Sequence, residues 1–164
     1  VTFYKSDADL PDFNDYSMKG RTYRYFDGKA LYPFGYGLSY SKFEYSPIKI
    51  PSSIRKNETI HISVSVKNTS NKAGEEVVQL YVNHDNGSKN LAIRSLKGFK
   101  RIYLNAGESK IINFSLTPED LKTINANGDQ VLLSGLVNLS VGGGQPAVQL
   151  KTTSNVQQAS FVIN

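Results

Sequence analysis

The side chains that could carry chemistry are few and scattered. Cysteine is absent, which removes disulfides, thiolate metal sites and a thiol nucleophile. The two histidines, His61 and His84, lie far outside any metal-ligand spacing. The run "SDADLPDFND" (6–15) gathers Asp7, Asp9, Asp12 and Asp15. A calcium loop needs fixed ligand spacing, a glycine at its turn and a closing glutamate. This run has Pro11 in its middle instead, and reads as an acidic loop. Hydrolysis by paired carboxylates needs two acids flanking one bond, about 5–5.5 Å apart for the retaining reaction. Glu75 and Glu76 are neighbours on a strand and point to opposite faces. Glu119 and Asp120 follow Thr117-Pro118, where acids complement a helical turn. The glycines of "VGGGQP" (141–146) precede no helix and no Lys-Ser or Lys-Thr pair, so they form a turn and not a phosphate cradle. The expectation is no catalytic residue, no cofactor site and no metal site in this chain.

What the sequence holds instead is an unusual concentration of rings. In "GRTYRYFDGKALYPFGYGLSY" (20–40) seven of 21 positions are Tyr or Phe and four are Gly, with neither helical nor strand periodicity. Such a segment cannot bury its rings within itself. The glycines permit tight bends, and Pro33 biases Tyr32 toward an extended form. The tyrosines offer apolar area with a polar tip, which suits a surface packed on another surface. Arg21 and Arg24 can stack on rings or fork to carboxylates.

Charge does not suggest a polyanion partner. The chain carries 19 Lys and Arg for a net charge of +5, but they are dispersed. The densest run, "RSLKGFKR" (94–101), would place Lys97 and Arg101 opposite Arg94 and Lys100 on a regular strand, so no nucleic-acid surface is expected. No apolar run approaches the roughly 20 residues of a spanning helix, and no membrane association is expected.

The elements that must position these residues are strands. "TIHISVSVKNTS" (59–70) alternates Ile60, Ile62, Val64 and Val66 with polar residues. Further strands are read in 75–84, 95–104, 110–117, in two pieces around Ser134-Gly135 within 130–144, and in 156–164. Asn86-Gly87 and Asn127-Gly128 mark turns, and "TPEDL" (117–121) marks one helical turn. Counting the segment that starts at Leu38, seven or eight short strands with frequent turns imply an all-β, antiparallel sandwich of the immunoglobulin or fibronectin type III kind. Trp and Cys are both absent, which argues against an antibody-type domain. Sequons at Asn57, Asn68, Asn86, Asn113 and Asn138 are read as chance in an Asn-rich chain.

The stretch "DYSMKGRTYRYFDGKALYPFGYGLSYSKFEYS" (15–46) resembles the segment leading into the C-terminal fibronectin type III-like domain of family 3 glycoside hydrolases, the β-glucosidases and β-xylosidases. "AGEEVVQLYV" (73–82), "LKGFKRIYLNAGESKIINFSLTPEDL" (96–121) and "LVNLSVGG" (136–143) continue the likeness, and "YPFGYGLSY" (32–40) is its most specific part. The resemblance implies that the catalytic Asp and Glu belong to domains upstream of Val1, since no residue here matches either motif. "VTFY" (1–4), without an initiating Met, then reads as the last strand of such a domain and the chain as a processed piece or fragment. It would comprise a connecting arm (1–37) and a fibronectin-like domain (38–164).

The whole enzyme would hydrolyse terminal β-linked glucose or xylose from oligosaccharides with retention and without a metal, in the periplasm or outside a bacterium. Its partners would be the upstream catalytic domains of the same polypeptide. Tyr16, Arg21, Tyr23, Arg24, Tyr25, Tyr32, Phe34 and Tyr36 are the expected contact residues, as an interdomain surface or the rim of the sugar site. With those domains missing, the rings are expected to be exposed or rearranged. The alternative role is a polysaccharide- or cell-wall-binding module.

Overall fold

The computed structural model describes residues 3–85, 91–125, 127–146 and 154–164. Among these residues ten strands run in order: β1 (Phe43–Tyr45), β2 (Ser53–Ile54), β3 (Ile60–Asn68), β4 (Gly74–Asp85), β5 (Ser95–Leu104), β6 (Ser109–Leu116), β7 (Thr123–Ile124), β8 (Gln130–Val131), β9 (Gly135–Gly142) and β10 (Val156–Ile163). They form a three-stranded sheet β1-β3-β6, a five-stranded sheet β2-β10-β9-β4-β5 and the small hairpin β7-β8. Every named pairing is antiparallel except β10 with β2. Among the described residues no helix is long and apolar enough to cross a membrane.

Alternation builds the core. In β3 every second side chain, from Ile60 to Val66, is buried, and in β6 Ile112, Phe114 and Leu116 match them across the pair. The facing sheet supplies Val78, Leu80 and Val82 from β4, Val137, Leu139 and Val141 from β9, and Phe161 and Ile163 from β10. Burying each of these side chains contributes about 1.5–3 kcal/mol before conformational entropy is charged against it. The Asn127-Gly128 turn joins β7 to β8 as expected, with Gly128 at φ +91°. "TPEDL" forms one turn, with the Thr117 N–H and hydroxyl both donating to Asp120 Oδ2. The Asn86-Gly87 turn lies outside the described residues.

Two features depart from the sequence reading. The first strand begins at Phe43, not at Leu38. β5 is also not a regular strand: Leu80 faces Gly98 while Tyr81 faces Leu96, leaving Lys97 as the extra residue of a bulge. The bulge shifts the alternation by one. Phe99, Arg101 and Tyr103 therefore lie on the same outer face as Leu96 and Arg94, so Arg94 and Arg101 are not on opposite sides. Lys100 falls on the inner side at the sheet edge, where its Nζ donates to the Asn113 carbonyl and sits over the Phe114 ring.

Residues 3–42 contain only a 3-10 turn (Asp7–Asp9) and one short helix, α1 (Thr22–Tyr25). Phe3, the described part of "VTFY" apart from Tyr4, forms an isolated bridge with Tyr32.

Candidate functional site

The aromatic segment is seated on the sandwich itself. Its landing place is the outer face of β4, whose "VVQLYV" run (77–82) keeps Gln79 and Tyr81 pointing away from the core. Both are nonetheless buried, at 5% and 1% exposed, because the arm covers them. The Tyr23 ring stacks on Phe34 with centroids 4.4 Å apart, and meets Tyr81 edge-on at 6.2 Å. Tyr23 Oη accepts the Leu96 N–H at 3.2 Å, and the Arg24 carbonyl accepts the Ile93 N–H at 2.8 Å. The Tyr81 hydroxyl donates to Gln79 Oε1 at 2.6 Å. Burial, with Tyr23 adding to it, raises the Tyr81 phenol above its ordinary range, while Arg94 opposes the shift.

A glycine contact and a glycine loop complete the seat. Gly35, at φ +77°, lies so close over the Gln79 amide that a Cβ there would sit 2.6 Å from Oε1. Gln79 Nε2 donates to the Gly143 carbonyl at 3.1 Å, and Gln145 Oε1 accepts the Phe34 N–H at 3.1 Å. Beside them opens a cavity of about 590 Å³, bounded by Pro33, residues 35–39, residues 75–77, Gln79, residues 143–145 and residues 154–156. Glu76 reaches its inner wall, 6% exposed, and its Oε1 accepts the Tyr45 hydroxyl at 2.9 Å. Burial raises the Glu76 carboxyl above the usual carboxylate range, against hydrogen bonds from Tyr45 and Ser154 that lower it.

The expected contact residues divide into two groups. Tyr23 and Phe34 meet at the seam, Arg24 joins it through its backbone, and Tyr36 borders the cavity. Tyr32 packs between Phe3 and Tyr36, at 6.0 and 5.2 Å between centroids. Tyr25 is half-buried under the Arg24 guanidinium. Arg21 turns away and ties down the acidic loop, donating to the carbonyls of Asp12, Asp15 and Ser17. Tyr16 is 89% exposed, as are Phe13 at 89%, Leu38 at 82% and Tyr40 at 96%. The expectation that the rings lack a partner is thus corrected for Tyr23 and Phe34, whose partner is the sandwich.

Gln79, Tyr81, Glu76 and the Gly143–Gln145 loop were not among the expected contacts. The signal was present. "VVQLYV" is nearly continuous in apolar residues, the mark of a strand covered on both faces. Glu76 shares the parity of Val78 and Leu80, which places it inside. Elsewhere His61 is exposed, with its Nδ1 3.0 Å from Ser115 Oγ, whereas His84 Nε2 is buried and has no hydrogen-bond partner among the described residues. Among the described residues no group of three or more His, Asp or Glu is gathered as a metal centre. The geometry suits packing of one segment on another.

Sequence comparison bears on the whole chain. A fibronectin type III-like domain profile matches residues 76–145. A putative β-xylosidase of Formosa agariphila is 44% identical over 94% of this chain and 20% of its own length. A periplasmic β-glucosidase of Salmonella typhimurium is 32% identical over 98% of this chain and 22% of its own. The solved structure of a β-glucosidase from Erythrobacter marinus superposes over 100% of this chain and 21% of its own, with a TM-score of 0.79 at 31% identity. The chain therefore spans about a fifth of the length of these relatives, and it belongs to the fibronectin type III-like part of the family 3 glycoside hydrolases.

Proposed function

We propose that this chain is the non-catalytic C-terminal part of a family 3 β-glycosidase and that it braces the catalytic domains of the same polypeptide. One observation supports this reading above the others, namely the two-sided arm. Tyr23 and Phe34 fasten it to the sandwich, while Phe13, Tyr16, Leu38 and Tyr40 are held out on the anchored segment with most of their surface open. Fixed, outward-facing apolar side chains of this kind suit an intramolecular interface, because their ordering cost is already met by the seam. The complete enzyme would remove terminal β-linked glucose or xylose from oligosaccharides with retention, using an upstream Asp and Glu. Its setting would be periplasmic or secreted, in keeping with the name of the Salmonella relative.

The purified chain should show no turnover of aryl β-glucosides or β-xylosides, and measurable turnover would overturn the reading. In the complete enzyme, Arg21→Ala or Tyr25→Ala should lower the melting temperature and leave substrate affinity unchanged. A raised KM at unchanged stability would assign the arm to the sugar site instead.

A second reading is a polysaccharide-binding face. Phe99 and Tyr103 favour it, since they stand on the outer face of β5 at 67% and 54% exposed. Retention of the chain on insoluble glucan or xylan, lost in Phe99→Ala, would establish this reading.

A further inference from the structure

Glu76 joins the core to the arm through a single glycine. It lies on the inner face of β4, opposite Ile102 of β5, with its carboxyl toward Tyr45 of β1 and toward Ser154. Gly143 passes directly over it. A Cβ at position 143 would collide with both Glu76 Oε1 and Ser154 Oγ, so backbone and carboxyl are already in closest packing. The same glycine gives its carbonyl to Gln79, and two residues on Gln145 holds the Phe34 N–H. One face of the loop is therefore seated on Glu76, and its bonds on the other side run to the seam that carries the arm.

The surroundings offer an ionised Glu76 little compensation. Of the groups packed against it, Tyr45 and Ser154 are neutral hydroxyls and Ile102 is apolar. Glu75 projects from the opposite face of the strand and pairs with Arg101. Among the described residues no Lys, Arg or His acts on Glu76. A buried carboxylate without a counter-ion takes up water or moves toward it. The cavity of about 590 Å³ supplies that route, since Glu76, Gly143 and Ser154 all line it.

We propose that Glu76 is a proton-operated latch: while it holds its proton the Gly143–Gln145 loop stays seated, and when the proton leaves, the loop shifts and loosens the Phe34–Gly35 stretch of the arm. Docking of the arm on the sandwich then depends on pH through one carboxyl at the loop's far side.

The chain contains no tryptophan, so Phe34→Trp places a unique fluorophore at the seam. Between about pH 5 and about pH 9 its emission should move toward that of solvent-exposed indole. The same titration in Phe34→Trp/Glu76→Gln should be flat, since glutamine keeps the acceptor for Tyr45 and cannot ionise. Identical titrations in the two proteins would overturn the proposal, as would a Phe34→Trp signal that does not change. The unmodified chain gives an independent reading. Hydrogen-exchange protection of the Phe34 amide, corrected for intrinsic exchange, should fall by up to about tenfold per pH unit as pH rises from the ordinary carboxylate value toward the raised value of seated Glu76, the slope of one proton released on opening, and level off above it. Protection that is constant across the range overturns the proposal even if the tryptophan variant does not fold.

Discussion

Tyr23 and Tyr81 meet edge to face, their ring planes 75° apart, although 58 positions separate them in the chain (81 minus 23). Tyr81 belongs to β4, an interior strand of the five-stranded sheet, and Tyr23 to a segment with no strand of its own. Their contact holds the irregular part of the chain to the regular part. Removing the half-buried Tyr23 ring should cost about 1–3 kcal/mol, and removing the fully buried Tyr81 ring about 3–5 kcal/mol. A double-mutant cycle of Tyr23→Ala and Tyr81→Ala in urea unfolding should return about 0.5–1.5 kcal/mol of coupling, whereas additive losses would mean that the rings act separately.

The glycines of the seam should divide sharply. Gly143→Ala forces a methyl group against Glu76 and Ser154, and should destabilise by at least about 1–3 kcal/mol. At Gly144, one residue on, an added Cβ would meet nothing within 4 Å, so Gly144→Ala should lie within about 0.5 kcal/mol of the parent chain. Thermal unfolding of the two variants side by side checks this, and equal losses would show that the loop is not seated on Glu76.

This contrast also marks where sequence was informative. The alternation in β3 and β6 placed the sandwich core directly, because one apolar and one polar face leave only one way to bury the strand. The bulge at Lys97 was invisible, since one unpaired residue alters no local pattern and is fixed by the register of the neighbouring strand. The arm was legible as a docking segment from its rings, but not its landing place. That requires knowing that Gln79 and Tyr81 share the outer face beneath Gly35, a relation between residues some 45 positions apart. The division between seated Phe34 and open Tyr40 is likewise tertiary, since nothing in the type of either ring distinguishes them.

His84 should make stability sensitive to acid. Burial holds its imidazole below the ordinary histidine value; Lys97 adds to this and a hydrogen bond to Leu121 opposes it. The unfolded chain therefore takes up the proton first as pH falls. His84 contributes its full stability above the ordinary value of about 6.5 and loses it as pH drops through that value toward the folded one. Denaturation midpoints should decline between about pH 7 and about pH 5, and His84→Gln should flatten the decline. A decline unchanged in His84→Gln would assign it to other groups. Glu76 acts in the opposite sense, its contribution being fully present below the ordinary carboxylate value and lost as pH rises through its raised one.

Asn68 tests whether the sequons are structural. Its side chain is fully buried at the end of β3, where Nδ2 donates to the carbonyls of Lys72 and Leu104 at 2.8 and 3.2 Å and Oδ1 accepts the Ser70 N–H at 3.0 Å. These bonds close the turn into β4 and tie it to the end of β5. Asn68→Ala would leave two carbonyls and one amide without their partner in a site closed to water, at a cost of about 2–4 kcal/mol. Asn68→Asp preserves the acceptor and loses the donor, so its loss should be comparable and should ease as pH falls and the carboxyl regains a proton to donate. Expression of the chain in a glycosylating host should leave Asn68 unmodified while the exposed Asn57 remains accessible, and mass spectrometry of the corresponding peptides reads both. A glycan on Asn68 in the folded protein would contradict its buried position.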